Sequence, residues 1–190
     1  TNMNLNEVIA NRAGELLGDR KGSYKLVHPN DHVNMSQSTN DTYHTVTHIS
    51  VYLAVEGELI PALKSLQKTF EEKSLEFKNI VKTGRTHLQD AMPLTLGQEF
   101  SGYGSAISHN VKRAEGIVES LKELSVGGTA VGTGVNAPKR FSSHVVRELN
   151  KLLRANFRPS KNFFNAGQNQ NVEAEVSGAL RTVAISLKKI

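Results

Sequence analysis

The sequence predicts an all-α protein, a bundle of long helices joined by short irregular polar connections. The strongest indication lies between Leu96 and Leu124, where apolar residues recur in steps of three and four without a break. A second helical pattern of similar length runs from Thr42 to about Lys78. Alternation of apolar and polar residues, which is typical of strands, is minimal. The chain therefore has helices long enough to pack lengthwise in a bundle.

A shorter first helix is predicted from Asn6 to Leu17, because its apolar residues recur at helical spacing and Gly18 follows where a glycine cap belongs. The glycine-containing stretch after it is predicted to be a loop. Within the second helix, Pro61 is expected to cause a kink, because proline removes one backbone hydrogen bond and clashes with the previous turn.

The third helix carries the apolar seam, which consists of Phe100, Tyr103, Ile107, Asn110, Ala114, Ile117, Leu121 and Leu124. Asn110 either fixes the register against partner helices or lies at the edge of the seam. Each of Gly102, Gly104 and Gly116 disfavours the helix by up to ~1 kcal/mol. Packing must therefore hold this helix, and the glycines are expected to mark close contacts between helices.

Two shorter helices are predicted near the end of the chain, from Phe141 to Leu153 and from about Val172 onward, with an irregular segment between them. The buried candidates of the first are Val145, Leu149 and Leu152. The glycine-rich stretch at 125–134 lacks the Gly-Lys-Ser/Thr ending of a phosphate-binding loop and has no strand before it. A tight chain reversal that passes close to other backbone is therefore predicted there.

Composition narrows the classes of function. The 190 residues carry a net charge of +5, with no basic run longer than a pair and only 6% aromatic residues, so a nucleic-acid surface is not expected. An excess of positive charge also attracts small dianionic substrates. No run of about 18 apolar residues is present, so no membrane span is expected. The absence of cysteine rules out disulfides and thiolate metal sites and fits a reducing, cytoplasmic location.

The most polar and least periodic stretch is 28–41. Pro29 keeps His28 out of the helical region, and Ser38, Thr39 or Asn40 is suited to cap the next helix. Backbone amides and short side chains would then point at one small volume, an arrangement that holds a carboxylate. The alternative is that these residues are only turn formers and caps. A metal site built from His28, Asp31 and His32 is disfavoured, because no helix is predicted to present the two histidines as a pair.

A second polar connection, 83–99, contains His87. Gly84 is expected to end the helical pattern before it, and Pro93 to open the helix after it. A neutral imidazole accepts a proton near pH 7, and Thr86 beside it can hydrogen-bond a carboxylate or a water. Asp90 is the nearby carboxylate that either orients the ring or satisfies the local turn. An ordinary hydrogen-bonded histidine is the other interpretation.

Five motifs together resemble the class II fumarase and aspartase branch of the fumarate-forming lyases, in the same order and spacing along essentially the whole chain. They are Asn-Met-Asn-Leu-Asn-Glu-Val at 2–8, His-Pro-Asn-Asp-His-Val-Asn at 28–34, Ser-Gln-Ser-Thr-Asn-Asp at 36–41, Gly-Arg-Thr-His-Leu-Gln-Asp at 84–90 and Gly-Gly-Thr-Ala-Val-Gly-Thr-Gly at 127–134. The resemblance implies an all-α fold in which long helices from four subunits build a central bundle. Residues 1–40 would end an N-terminal domain with a polar substrate-binding loop, and 41–190 would begin the helical-bundle domain.

The resemblance also implies roles for residues. Thr86 and His87 match the positions that bind substrate and activate the water or amine. The donors to a dicarboxylate would be Asn2, Ser38, Thr39 and Asn40, with Thr86 also touching substrate. A second anion site would use His28, Asn30 and Asp31. The implied reaction removes a proton next to a carboxylate, passes through a carboxylate-stabilised carbanion and needs no metal or organic cofactor.

Hydration of fumarate to L-malate is the favoured activity, because Gly128 and the run at 95–103 are closer to fumarases. Aspartate ammonia-lyase is the alternative, and a non-catalytic, crystallin-like helical assembly protein is the second. The family's serine base and the carboxylate that partners its histidine belong to a region beyond Ile190. The chain is thus expected to be an internal piece, inactive alone, of a homotetramer whose sites combine three subunits. His44 and Asn171 depart from the family pattern.

Overall fold

A computed structural model describes residues 1–190, and it confirms the all-α class. The helices are α1 Asn2–Leu16, α2 Thr39–Ala54, α3 Ile60–Glu76, α4 Leu96–Leu121, α5 Phe141–Leu153, α6 Phe163–Ala166 and α7 Asn171–Lys189. Two short π-helical segments cover Pro29–Val33 and Val55–Leu59. The strands are β1 Val81–Thr86, β2 Gln89–Thr95, β3 Glu123–Leu124 and β4 Arg158–Pro159.

The residues group into two compact units. The first contains Thr1–Ser50 and Leu121–Gln170, and the second contains Val51–Ser120 and Asn171–Ile190. Each unit thus combines two separate stretches of the chain. The domain boundary expected after residue 40 stays a prediction.

The predicted interruption near Pro61 takes the form of a π-helical segment. Helical structure continues from Thr39 to Glu76, and the segment Val55–Leu59 lies between α2 and α3, just before Pro61 in the first turn of α3. A π turn rearranges the carbonyl partners upstream of a residue that has no N–H to donate. This 38-residue run is also long and apolar enough to cross a membrane, with a best window of mean hydropathy 1.2. That is weak evidence for a membrane span, because the core helix of a globular protein meets the same description.

The seam of α4 is buried as predicted over most of its length. The six seam positions from Ile107 to Leu124 are at most 3% exposed. Phe100 and Tyr103, at the start of the helix, are half-buried and pack against the rings of Phe70 and Phe77. Leu124 itself lies in β3 rather than in the helix, which ends at Leu121. The three-four spacing thus predicted burial better than it predicted the helix end.

The glycines of α4 differ in what surrounds them. A Cβ on Gly97 would lie 2.4 Å from the carbonyl oxygen of Ser74, so α3 and α4 approach closely there. A Cβ on Gly104 would meet Phe70 at 3.5 Å. Gly102 and Gly116 have open space beside them, so the close contacts expected at these two glycines are not formed within the chain.

Asn110 does not lie at the edge of the seam. It is 0% exposed, its Oδ1 accepts a hydrogen bond from Arg113 Nη1 at 3.1 Å, and its Nδ2 has no partner. A buried amide donor without an acceptor is destabilising. The edge interpretation is therefore wrong, and the role in helix register stays a prediction.

Replacing Asn110 with leucine is expected to raise the free energy of unfolding by about 1–2 kcal/mol, because the change removes a buried donor that has no acceptor. Urea unfolding of the full-length protein measures this difference. If Asn110 fixes the helix register, light scattering will also show a mixture of oligomers in the variant. An Asn110→Leu protein that is less stable and uniformly assembled would contradict both expectations.

Helix α5 has the predicted limits but not the predicted buried face. Val146 is 3% exposed, whereas Leu152 is 78% exposed. Val145 and Leu149 are half-buried. Leu152 was therefore wrongly predicted as a buried residue, because periodicity alone does not fix which side of a short amphipathic helix meets the core.

The connection that carries His87 is not irregular, and Pro93 does not open the following helix. Strands β1 and β2 form an antiparallel hairpin in which Thr86 pairs with Gln89, and α4 begins after it at Leu96. Pro93 pairs with Thr83 inside this two-stranded sheet. Both strands are edges, where a residue without an N–H is tolerated on the side that faces away from the partner. The segment before α7 is likewise more ordered than predicted, since it contains β4 and α6.

Candidate functional site

The first candidate group surrounds the start of α2. The Ser38 hydroxyl accepts a hydrogen bond from the Asn40 amide at 3.3 Å, and the Asp41 carboxylate accepts one from the Ser38 amide at 3.0 Å. This reciprocal pair satisfies backbone donors that the first helical turn leaves without partners. The predicted capping by Ser38 is therefore confirmed.

The Asp41 side chain links the start of α2 to the glycine-rich loop through hydrogen bonds. The side chain is 1% exposed, and its Oδ2 accepts hydrogen bonds from the amides of Gly127 at 2.9 Å and Thr129 at 2.8 Å. Together with the Ser38 amide, three backbone donors surround one carboxylate. Asp41 was not among the predicted site residues, although Ser-Thr-Asn-Asp is the capping-box pattern that points to it.

The glycine-rich loop is the predicted tight reversal. Gly127 and Gly132 have φ values of +100° and +95°, which side chains rarely adopt. A Cβ on Gly132 would also lie 2.8 Å from the backbone nitrogen of Phe164. The loop therefore needs glycine both for its backbone conformation and for its approach to the segment that contains α6.

The four predicted carboxylate donors lie together in the first unit. Asn2 Nδ2 donates to Thr39 Oγ1 at 3.3 Å and to Asn34 Oδ1 at 3.2 Å, and Asn40 Nδ2 donates to the carbonyl of Ala130 at 3.1 Å. The hydroxyls of Ser38 and Thr39 each accept a hydrogen bond and keep their own proton to donate. Two O–H donors beside the N-terminus of a helix form a favourable environment for a carboxylate.

Asn34 is an organising residue that the sequence analysis did not single out. Its Oδ1 accepts from both Asn2 at 3.2 Å and the buried Asn6 at 2.9 Å. It therefore links α1 to the polar loop. No local pattern indicates this contact, because the donors lie 28 and 32 residues away in sequence.

His28, Asn30 and Asp31 lie at the start of the first π-helical segment. His28 Nδ1 accepts from the amides of Asn30 at 3.2 Å and Asp31 at 3.3 Å, so the imidazole caps this segment. These local contacts agree with the alternative interpretation, in which the residues serve as caps. His32 Nδ1 in turn accepts from the His28 amide at 2.9 Å. No group of three or more His, Cys, Asp or Glu residues is placed to hold a metal ion.

His87 lies at the tip of the β1–β2 hairpin, in the second unit. His87 and Leu88 form its two-residue loop with φ values of +47° and +64°, the left-handed pair of a type I′ turn. Non-glycine residues in this conformation cost roughly 1–2 kcal/mol each. Strain of this kind is concentrated at functional sites. His87 and Thr86 are both exposed, and Leu88 is 92% exposed.

Asp90 does not orient the histidine. Its Oδ1 accepts from Arg85 Nε at 3.1 Å, across the hairpin, and both side chains are mostly exposed. The interpretation that Asp90 serves the local turn is therefore correct. The structure brings Thr86 and His87 together in the second unit, whereas Asn2 and Ser38–Asn40 belong to the first.

A charged network joins the base of the hairpin to the first turn of α4. Lys82 Nζ lies 2.5 Å from Glu99 Oε2, and Tyr103 donates to Glu99 Oε1 at 3.1 Å. The hydrogen bond from Lys82 lowers the pKa of Glu99, and the one from Tyr103 adds to this effect. Burial raises the pKa of Tyr103, as does its hydrogen bond to Glu99. These contacts hold β1 on α4 and so limit the positions open to the hairpin.

Gly84 forms a bulge in the hairpin, at the register shift between Thr83 and Arg85. A Cβ at this position would lie 2.7 Å from both the carbonyl oxygen of Met92 and Cδ2 of Leu94. Bulges re-aim the side chains that follow them. Gly84 therefore sets the direction of the strand that leads to Thr86 and His87.

Replacing Gly84 with alanine is expected to destabilise the hairpin by about 1–3 kcal/mol, because the added methyl group overlaps the backbone of β2. Amide hydrogen exchange across residues 81–95 measures the loss of protection in the full-length protein. Thr83→Ala, on the exposed neighbouring residue, is the matched control and should leave exchange unchanged. Equal protection in wild type and Gly84→Ala would show that the bulge is not needed.

Comparisons with known proteins cover the whole chain. A family model described as lyase matches residues 1–190. The chain is 53% identical over 190 residues to fumarate hydratase class II of Helicobacter pylori and 51% identical to the mitochondrial fumarate hydratase of Rhizopus oryzae. It covers 100% of its own length in both matches but only 41% and 38% of those relatives.

Solved structures agree with this placement. A class II fumarase from Schistosoma mansoni superimposes with a TM-score of 0.90 at 37% identity, over 98% of this chain and 42% of that one. A Brucella melitensis protein described as fumarate lyase:delta crystallin gives a TM-score of 0.92 at 41% identity, over 99% and 41% of the two chains. With a matching family model along its entire length, the chain belongs to the lyase family.

Proposed function

We propose that the full-length protein is a fumarate hydratase, which reversibly adds water to fumarate to give L-malate. The observation that carries the proposal is the pair of hydroxyls of Ser38 and Thr39, each of which accepts one hydrogen bond and keeps a proton for a carboxylate. Relatives named fumarate hydratase, about half identical to this chain, support the choice of substrate.

In this proposal the residues at the start of α2 bind and stabilise the diacid. Removing a proton from the carbon next to a carboxylate places a second negative charge on that carboxylate. Neutral hydrogen-bond donors that are already in position stabilise this charge. Ser38, Thr39 and Asn40 supply these donors, and Asn2 positions Thr39 through the hydrogen bond from its Nδ2. Asp41 keeps them in place, because its carboxylate is held by three backbone amides.

His87 is the proposed acid–base group, and Thr86 beside it is proposed to contact the substrate. An exposed imidazole at a hairpin tip is accessible to a substrate held by another subunit. Assembly as a homotetramer with sites shared between three subunits is part of the proposal. So is the second anion site at His28, Asn30 and Asp31, where the imidazole that caps the π segment would face the ligand with its Nε2.

We also propose that the protein works in the tricarboxylic acid cycle, in the cytoplasm. The bacterial relatives support this location, while relatives named mitochondrial make cell fractionation the relevant measurement. Light scattering of the purified full-length protein tests the tetramer.

The test of the activity is the absorbance of fumarate during incubation of the full-length protein with L-malate and, separately, with L-aspartate. Fumarate from malate alone is the expected result. Fumarate from aspartate alone would identify an ammonia-lyase instead. Fumarate from neither would favour a non-catalytic helical assembly protein, in line with the superimposed structure described as fumarate lyase:delta crystallin.

A further inference from the structure

We propose that Thr129, on the glycine-rich loop, binds the diacid together with Ser38 in a cavity of the first unit. The inference rests on the proposed function and extends it, because it adds a binding residue from a loop that the motif resemblance assigns no role. The ligand is a carboxylate group of a four-carbon diacid.

The cavity has a volume of about 400 Å³, within the range of small-ligand sites. No charged side chain lines it. Its walls are Asn30, Asn34, Met35, Ser36, Gln37, Ser38, Thr129, Ala130, Val135 and Asn136. The cavity therefore lies between the polar loop and the glycine-rich loop, next to the proposed donors of the first site.

Three side chains of this lining keep a proton that they can donate to a ligand: Asn34, Ser38 and Thr129. Asn34 Oδ1 already accepts from Asn2 and Asn6, and its Nδ2 donates to the Gln37 carbonyl at 3.4 Å, so one N–H of the amide is left for a ligand. Ser38 accepts from the Asn40 amide and keeps its own proton. Because no charged side chain lines the cavity, these neutral donors can stabilise the negative charge of a carboxylate group there.

Thr129 is held in an unfavourable state. It is 6% exposed, its φ of +57° is rare for a β-branched residue, and its Oγ1 is buried without a hydrogen-bond partner. Buried hydroxyls are nearly always paired. Thr129 lines the cavity, so a ligand bound there can supply the hydrogen-bond partner that its hydroxyl lacks.

Asp41 holds Thr129 in this position and does not oppose an anion. Its carboxylate accepts from the amides of Ser38, Gly127 and Thr129, at 2.8–3.0 Å. Three donors compensate its charge. The same carboxylate thus connects the backbone of Ser38 to that of Thr129, and both residues line the cavity.

The test compares Thr129→Val, which removes the hydroxyl at constant shape, with Thr129→Ser, which keeps it. In the full-length protein, Thr129→Val is expected to weaken the binding of succinate, an unreactive four-carbon diacid, and to raise the KM for malate, each by roughly tenfold. Thr129→Ser should bind and turn over as the wild type does. Thr133→Val, on an exposed threonine of the same loop, is the matched control and should change neither quantity.

Thr129→Gly provides a second removal of the hydroxyl in a residue that suits a positive φ, and it should show the same weakening if the valine variant does not fold. Wild-type succinate affinity and malate KM in Thr129→Val or Thr129→Gly would overturn the inference, as would equal losses in Thr133→Val. Wild-type protein that binds succinate through the Thr129 hydroxyl but does not convert malate would refute only the proposed function. Absence of both binding and turnover in the wild type would refute both.

Discussion

Replacing His87 with asparagine in the full-length protein is expected to lower the turnover of malate by roughly 10²–10⁴-fold, the contribution of a general acid–base group. Asparagine cannot transfer a proton near neutral pH, whereas it tolerates the left-handed backbone that His87 adopts at φ +47°. The hairpin should therefore keep its type I′ turn. The loss would be in chemistry rather than in structure.

Stopped-flow or steady-state fumarate absorbance measures this effect, together with a thermal unfolding curve. The melting temperature should stay close to that of the wild type, because the His87 side chain is exposed. His144→Asn, on the exposed side of α5, is the control for losing an imidazole elsewhere and should leave turnover unchanged. Near-normal turnover of His87→Asn would remove this residue from the proposed mechanism.

Replacing Asp41 with asparagine is expected to lower the free energy of unfolding by about 3 kcal/mol. The reason is that an amide keeps one acceptor oxygen and turns an NH₂ group toward backbone donors, which leaves buried N–H groups without partners. The residue is 1% exposed, so water cannot replace the lost bonds. The glycine-rich loop should then detach from the start of α2, and the malate KM should rise as Ser38 and Thr129 lose their positions.

Urea unfolding gives the stability, and hydrogen exchange of the Gly127 and Thr129 amides locates the change. Asp31→Asn is the matched control. It is the same substitution in the neighbouring polar loop, and the Asp31 side chain is 77% exposed. It should alter stability by less than about 0.5 kcal/mol. A loss in Asp41→Asn no larger than in this control would mean that the carboxylate is not what joins the two loops.

Much of the fold could be predicted from local pattern. The period of three and four in α4 found the buried seam, the limits of α5 were correct, and the glycine-rich loop has the predicted backbone. These features depend on neighbours within a turn or two, which the sequence displays directly. The hairpin was missed because its pairing is antiparallel across a two-residue loop of His87 and Leu88, where the usual turn residues Asn and Gly are absent.

The candidate site was found in part for the same reason. The residue type of Ser38 predicts a helix cap, and that of His87 predicts a titratable group in a polar connection. Asn34, Asp41 and Thr129 acquire their importance from partners on other elements. Each has at least one hydrogen-bond partner 28 or more residues away in sequence. The one local signal for these three residues is the capping-box pattern that includes Asp41.

The sequence by itself determined the helical class, the buried face of α4 and the family resemblance, because periodicity and motif order are written along the chain. Only the tertiary structure decided that His87 lies at a strained hairpin tip and that the Asp41 carboxylate joins α2 to the glycine-rich loop. The physical reason is that a buried carboxylate must collect its donors wherever the fold brings backbone amides together. Those amides, 86 and 88 residues away, leave no trace in local spacing.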